Sequence, residues 1–420
     1  MCMVSSANLC IICKGGRNLC GNNPCPLLTK FNMENKVFKT IGNNFFGKSP
    51  SIFVGRSGYP NVSVGPMGSL QDDINDNPSE LFGKSYQEII NQRSLLLRSK
   101  HSESVFSKSK FVEQNQEIAL SSRNVDIELE FKNKPLYNIK FSDVIQPMGP
   151  SVSVKKFGLA ENVPIPRRVD SLVNDEVLSA DASFALYKFG YDVSKISTIL
   201  SSGILGKEKK KKLVPTRWSI TAVDDIMAKK MMIKIREYRE IKEFMVFSSF
   251  YMDNRFEVLL IPGSWEYENF ETWAPGSSWG FAIDNGLNSQ AQNSNSNEIR
   301  VINKPQTLVE YEPFEGRTKY ADQEGGGYYA ARIAVAEKLY QMKRQAKAVV
   351  FREVHEGYII PLGVWQVREN VRNAVKSVPK RFSTMKEALE DISSRLRIDM
   401  KKYVEKSKIL RQRRLADFLF

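Results

Sequence analysis

The sequence predicts a mixed α/β protein of the α+β kind: a small cysteine module, a large N-terminal domain, a smaller C-terminal domain and a short basic tail. Three observations predict it. All five cysteines fall within the first 25 residues of a 420-residue chain. Beyond them, segments with the two-residue period of strands are interspersed with segments of helical period. A low-complexity polar run at 286–297 then divides a long part from a short one. The resulting boundaries are 1–30, 31–285, a linker at 286–298, 299–407 and a tail at 408–420. With 42% hydrophobic and 26% charged residues the chain is long enough to bury a sizeable core and lies outside the compositional range of disordered proteins. Its net charge of +14 favours polyanionic partners. No run of about 18 apolar residues and no secretory leader is legible, so the expectation is a cytoplasmic protein without a membrane span.

The first element is the cysteine module. Cys10-Ile-Ile-Cys13 supplies a knuckle whose two thiolates reach one metal, and Cys20 and Cys25 close a tetrahedral set, C-x2-C-x6-C-x4-C. Gly15, Gly16 and Gly21 permit tight turns, Pro24 and Pro26 stiffen the exit, and Lys14 and Arg17 offset the thiolate charge. Zinc is the expected metal. An iron–sulfur cluster uses the same ligands, and a disulfide framework is the alternative that a reducing compartment disfavours. Four cysteines fill a zinc shell and leave no place for water, so the site is structural in character.

Residues 52–54 and 62–64 read as two short strands around a Gly- and Pro-containing turn, and 85–98 as an amphipathic helix with Ile89, Ile90, Leu95 and Leu96 facing a core. Val125-Asp-Ile-Glu-Leu-Glu-Phe131 alternates as a half-buried strand does. Pro164-Ile-Pro-Arg-Arg168 is extended, and helices are expected over 177–187 and near 194–202. Four lysines, Lys209, Lys210, Lys211 and Lys212, precede Pro215-Thr-Arg-Trp-Ser219. They are candidates for gripping phosphates, with Arg217 as a further cation and Trp218 as a stacking surface; a solvated loop followed by a core tryptophan is the bland alternative. Asp224 and Asp225 are placed in the first turn of a helix starting at Thr221, where their charge favours the helix dipole.

Residues 256–261 form a strand, followed by an aromatic loop that carries Trp265, Tyr267, Phe270, Trp273 and Trp279, either a base-stacking platform or packing beneath a loop. In the C-terminal part, Gly325-Gly-Gly327 precedes a helix through Met342 and lacks the spacing of nucleotide-binding glycine motifs, so a packing turn is preferred to anion binding. Residues 348–354 and 357–361 resemble paired strands around His355. Thr384-Met-Lys-Glu387 is a capping box that opens one final helix, with Met385, Leu389, Ile392, Leu396 and Tyr403 on its apolar face.

The tail ends in a basic stretch and then an apolar tip, in which Gln412, Leu415, Phe418 and Leu419 give Q-x-x-L-x-x-F-L and align three side chains along a 3₁₀ turn. This pattern resembles a sliding-clamp (PCNA) interaction peptide. The resemblance implies a polar pocket for Gln412 and a hydrophobic plug of Leu415, Phe418 and Leu419, the last standing where a second aromatic is usual. A helix tail folded on the core is the alternative. Together with Cys20-Gly-Asn-Asn-Pro-Cys25, Ile52-Phe-Val-Gly-Arg-Ser-Gly-Tyr-Pro60 and Pro215-Thr-Arg-Trp-Ser219, it makes nearly the whole chain similar to the Nre family of archaeal DNA-repair proteins. That resemblance implies archaeal origin, a zinc finger, two family domains and DNA repair through the clamp, and it maps no reaction onto residues. The expected function is therefore a clamp-recruited repair factor that binds DNA. The rival is an enzyme acting on nucleic acid or a nucleotide around Trp218, Asp224, Glu324 and His355, and a third reading is an RNA-binding factor.

Overall fold

A computed structural model describes residues 41–75, 77–135, 149–275, 277, 304–358 and 362–411. The four-cysteine set, the polar linker and the terminal peptide from Gln412 onward lie outside them. The chain divides into two compact units, one of Asn22–Phe141 with Ile145–Met227, the other chiefly Ala228–Phe420.

The first unit is built on five strands: β1 (Asn44–Val54), β2 (Asn61–Ser69), β3 (Leu97–Ser104), β4 (Val125–Phe131) and β5 (Ser151–Leu159). They close into a barrel in the order β1-β2-β3-β5-β4, with β1 returning to β4. All neighbours are antiparallel except β3 and β5. Helix α1 (Tyr86–Ser94) interrupts the link from β2 to β3, and α2 (Lys110–Leu120) joins β3 to β4 and packs against β1, β2 and β5. This order, its single parallel pair and a helix between β3 and β4 are the arrangement of an OB-fold. The core alternates as strand period requires: Ile52, Val54, Val62, Val64, Leu97, Ile127, Leu129 and Val154 point inward. At Gly65 an added Cβ would come 2.3 Å from the Ser99 carbonyl oxygen, so β2 and β3 approach more closely than any side chain allows.

Helices α3 (Arg167–Asn174), α4 (Ser179–Lys188) and α5 (Val193–Ser201) complete this unit, together with the first half of α6 (Thr216–Ile235). The strand at 125–131 is as expected, and the two strands around 52–64 are present but longer. The helix expected over 85–98 stops at Ser94, and Leu97 already opens β3. Its N-terminus is held by a reciprocal capping box between Ser85 and Glu88. Helix α6 starts at Thr216 rather than Thr221, so Asp224 sits mid-helix and fully buried instead of in the first turn.

The second unit carries a six-stranded sheet of β6 (Phe244–Tyr251), β7 (Asn254–Ile261), β8 (Glu266–Trp273), β9 (Gln306–Glu312), β10 (Lys347–Val354) and β11 (Lys380–Phe382), ordered β11-β6-β7-β10-β8-β9. Only β8 and β10 run parallel. On one face lie α7 (Gly326–Met342) and α8 (Trp365–Lys376); on the other α9 (Met385–Ser393) and α10 (Met400–Lys406) cover Phe270, Phe351 and Leu259. Two expectations change here. The aromatic stretch after 261 is strand β8, and Trp265, Tyr267, Phe270 and Trp273 are all buried core rather than a stacking platform. The final helix is two, separated at 394–399. Strands β8 and β9 are hydrogen-bonded neighbours, and the two compact units divide at Met227/Ala228.

Candidate nucleic-acid interface

At one end of the barrel the connection from β1 to β2, Gly55-Arg-Ser-Gly-Tyr-Pro60, meets the stretch that leads into α6. Three backbone anchors make the junction. The Val54 amide donates to Thr216 Oγ1 at 3.0 Å, the Val105 amide to the Pro60 carbonyl at 2.9 Å, and the Leu213 amide to the Val105 carbonyl at 2.8 Å. Gly58 takes φ +82°, a left-handed turn that other residues rarely adopt, and its carbonyl accepts the Asn61 amide at 2.9 Å. The anchors set Tyr59 against Trp218 with ring centroids 5.2 Å apart and planes tilted by 52°.

Both rings remain open to solvent, Tyr59 at 42% and Trp218 at 43% exposure, and Phe106, the second residue after β3, stands out at 63%. Single exposed aromatics are ordinary on a protein surface, whereas neighbouring ones mark an interaction site. Exposed cations stand on the segments that carry these rings. The lysine run begins in a short 3₁₀ turn, Glu208–Lys210, and Lys211, just after it, is tied to the Val173 carbonyl at 3.1 Å and to Glu208 at 3.3 Å. Lys209, Lys210 and Lys212 are exposed and have no carboxylate partner among the described residues, and Arg56 is exposed on the neighbouring turn. Lys108 closes on Glu208 at 2.6 Å. A rim of flat rings among cations stacks bases and attracts phosphates.

Of the sequence candidates, Lys209, Lys210, Lys212, Arg217 and Trp218 are exposed along the stretch that leads into α6, with Trp218 on the surface rather than in the core. Sequence reasoning missed Arg56, Tyr59 and Phe106. The signal available for Tyr59 was its place in a Gly-Tyr-Pro turn, where an aromatic has little to pack against. Asp224 is buried and takes no part in the rim.

The remaining candidates lie in the second unit and do not share a site. Glu324 faces the α7 side of the sheet, where it accepts a hydrogen bond from Asn269. Burial, reinforced by the negative charge of Glu271, pushes its carboxyl well above the ordinary range. Beside it Glu312 accepts from Trp265 Nε1 at 3.0 Å, Tyr328 Oη at 2.9 Å and Arg332 Nη2 at 2.7 Å, all buried. His355 bonds Glu353 at 3.1 Å, and Glu353 points to the opposite face, where Tyr403 Oη donates to it at 2.8 Å. The sheet therefore separates Glu324 from the Glu353–His355 pair. A cavity of about 430 Å³ opens beside β9, lined by Arg317, Lys319, Lys406 and Lys408 among others. Glu268 holds the chain just beyond α10, accepting from the Ser407 hydroxyl and from the Lys408 amide at 2.5 Å. Among the described residues no three His, Cys, Asp or Glu side chains are grouped to hold a metal, and no helix is long and apolar enough to cross a membrane.

The comparisons with known proteins agree along almost the whole chain. The model of the archaeal Nre N-terminal domain matches residues 19–280, and that of the archaeal Nre C-terminal domain residues 312–418. DNA repair protein NreA of Archaeoglobus fulgidus is 35% identical over 413 residues, 97% of this chain and 98% of the relative. NreB of the same organism, also named a DNA repair protein, is 35% identical over 418 residues, 98% of this chain and all of the relative. NreA of Haloferax volcanii is 35% identical across 84% of this chain and 83% of its own length. No solved structure matches. With both domain models matched and relatives aligned nearly end to end, the chain belongs to the archaeal Nre family.

Proposed function

We propose that this protein is a DNA-repair factor that reaches DNA through the sliding clamp and holds it at the basic aromatic rim of the barrel. The observation that carries the reading is the near end-to-end similarity to two proteins named for DNA repair. The rim supports it, because exposed rings near exposed cations suit a phosphate polymer with aromatic bases. The enzyme reading is less supported. Its proposed residues are distributed over two units and over both faces of one sheet, and His355 and Glu324 each already bond to protein.

In this proposal Gln412, Leu415, Phe418 and Leu419 enter the clamp (PCNA), and the Glu268 anchor fixes the chain immediately before them. Calorimetric titration with the host clamp tests this. Intact protein is expected to bind, whereas Phe418→Ala and a form ending at Arg411 are expected to lose binding; undiminished binding by the shortened form refutes the peptide assignment. Cys10, Cys13, Cys20 and Cys25 are proposed to hold zinc as a structural staple. Elemental analysis is expected to find one zinc per chain, reduced to background in Cys10→Ser with Cys13→Ser; iron with a visible charge-transfer band would instead identify a cluster.

A further inference from the structure

The cavity beside β9 opens on the margin of the six-stranded sheet, and ladder hydrogen bonding settles which peptide groups face it. The Ala274 amide, one residue past β8, donates to the Val354 carbonyl of β10 at 2.9 Å. The even-numbered residues of β8 therefore turn their N–H and C=O groups toward β10, and the odd-numbered ones turn theirs toward β9. Thr307, Val309 and Tyr311 stand opposite Thr272, Phe270 and Glu268, so their own peptide groups point away from the sheet. Cations close both ends of this row. Lys406 donates to the Thr307 carbonyl at 2.6 Å. At the other end the chain doubles back in a turn closed by the Gly316 amide on the Pro313 carbonyl at 3.0 Å, with Gly316 at φ +95°, and Arg317 donates to the Tyr311 carbonyl at 3.2 Å. Arg317 is itself braced by Glu310 at 2.6 Å and by the Lys319 and Tyr320 carbonyls at 2.9 and 3.0 Å.

Between the two caps, about 13 Å apart at the rise of a strand, neither the N–H nor the C=O of Val309 has a partner among the described residues. Val309 lines the cavity at this point. The charge around it is one-sided. Lys319 is exposed with no carboxylate partner among the described residues, and the Lys408 ammonium, likewise without one, rests 4.7 Å over the Tyr311 ring. The carboxylates of the wall are already satisfied, Glu310 by Arg317 and the Gln323 amide, Glu268 by the Ser407 hydroxyl and the Lys408 amide. Residues opposed across a strand pair share a face. Val309 and Tyr311 pack toward α9 and α10, so a residue added opposite Val309 projects its side chain on the face where Lys408 lies.

We propose that the margin of β9 is a docking site for a short, extended acidic peptide of a partner protein, one residue of which exchanges both backbone hydrogen bonds with Val309 and sets its carboxylate against Lys408. The caps at Thr307 and Tyr311 limit the paired stretch to about three residues, so the occupant is a linear segment and not the edge of a second sheet. Charge selects its composition: the free cations at Lys319 and Lys408 favour acid and oppose a basic segment. A phosphate polymer answers the lysines but offers no paired N–H and C=O to Val309, which separates this surface in kind from the rim of the barrel. The inference is independent of the DNA reading.

Fluorescence anisotropy of the full-length protein tests it with an end-blocked, labelled peptide Thr-Val-Glu-Val-Thr, the same peptide with lysine in place of glutamate, and a third whose glutamate amide is N-methylated. The acidic peptide is expected to bind about tenfold more tightly than either of the others. Lys319→Glu with Lys408→Glu is expected to abolish the preference for acid. Val309→Pro, a change that a strand margin tolerates where the N–H faces outward, is expected to weaken binding about tenfold. Lys376→Glu on α8 is expected to leave it unchanged, with circular dichroism confirming that every variant folds. Hydrogen exchange read by mass spectrometry is expected to slow over residues 306–312 when the acidic peptide is bound. Equal binding of the three peptides, indifference to the double lysine change, exchange over 306–312 that the peptide does not alter, or no binding at all overturns the proposal, and none of these outcomes touches the repair reading.

Discussion

Glu312→Ala is expected to lower the stability of the second unit by about 3 to 5 kcal/mol, enough to leave a marginal domain largely unfolded at growth temperature. Glu312 and Arg332 are both almost completely buried, 2.7 Å apart. The cost of removing the acid is less the lost attraction than the cation it strands in a low-dielectric core, along with the Trp265 indole and the Tyr328 hydroxyl that donate to the same carboxylate. Glu312→Gln keeps a shape that accepts two of the three donors and is expected to cost less than half as much. Replacing the pair together, Glu312→Met with Arg332→Leu, is expected to recover much of the loss, since no charge is then left alone. Urea unfolding followed by tryptophan fluorescence gives all three values. An alanine variant within about 1 kcal/mol of the parent contradicts the geometry.

The second large effect is expected at Glu353, where the outcome depends on pH. Burial alone would raise this carboxyl, yet hydrogen bonds from His355, the Arg397 amide, Tyr403 and the Ile398 amide together outweigh it and hold the pKa below the ordinary glutamate value of 4.5. The amides donate at 2.8 and 3.0 Å. A carboxylate with a depressed folded pKa binds its proton more readily in the unfolded chain. Its contribution is therefore fully present above about pH 4.5 and is lost as pH falls through the lower, folded value. Glu353→Gln is expected to destabilise the protein by about 2 to 3 kcal/mol at pH 7 and to narrow its gap to the parent steadily below pH 4.5. A gap that stays constant from pH 7 to pH 3 shows that the charge on Glu353 contributes nothing.

How much of this was legible in the chain differs between the two units for a physical reason. Val125–Phe131 announced itself because β4 has one wet and one dry face, so polarity and position coincide. The barrel as a whole did not. Strand β3 reads Leu-Arg-Ser-Lys-His-Ser-Glu-Ser, too polar for its period to register, and it is separated from β2 by a turn-rich segment and α1. The aromatic strand β8 was hidden for the opposite cause. Both of its faces are covered, and its Glu268, Asn269 and Glu271 are hydrogen-bonded to Ser407, Glu324 and Arg352, partners between 55 and 139 residues away in sequence. No local pattern reports a partner so distant. At the interface, the lysine run and Trp218 were readable as chemistry, whereas Tyr59 comes against Trp218 only through the fold. Asp224 was misplaced because the helix starts at Thr216, five residues earlier than its acidic pair suggested.

The six-stranded sheet, unlike the closed barrel, has two ends, and β9 is one of them. Its outer carbonyls are a template on which another chain could add itself. Lys406 from α10 caps one of them, donating to the Thr307 carbonyl at 2.6 Å, while the Lys408 ammonium lies 4.7 Å over the Tyr311 ring. Charge placed on a strand margin in this way is a known guard against self-association. Cutting the chain back before Met400 would strip that guard, and the shortened protein would be prone to growing strand upon strand into aggregates, whereas ending it at Arg411 leaves the margin defended.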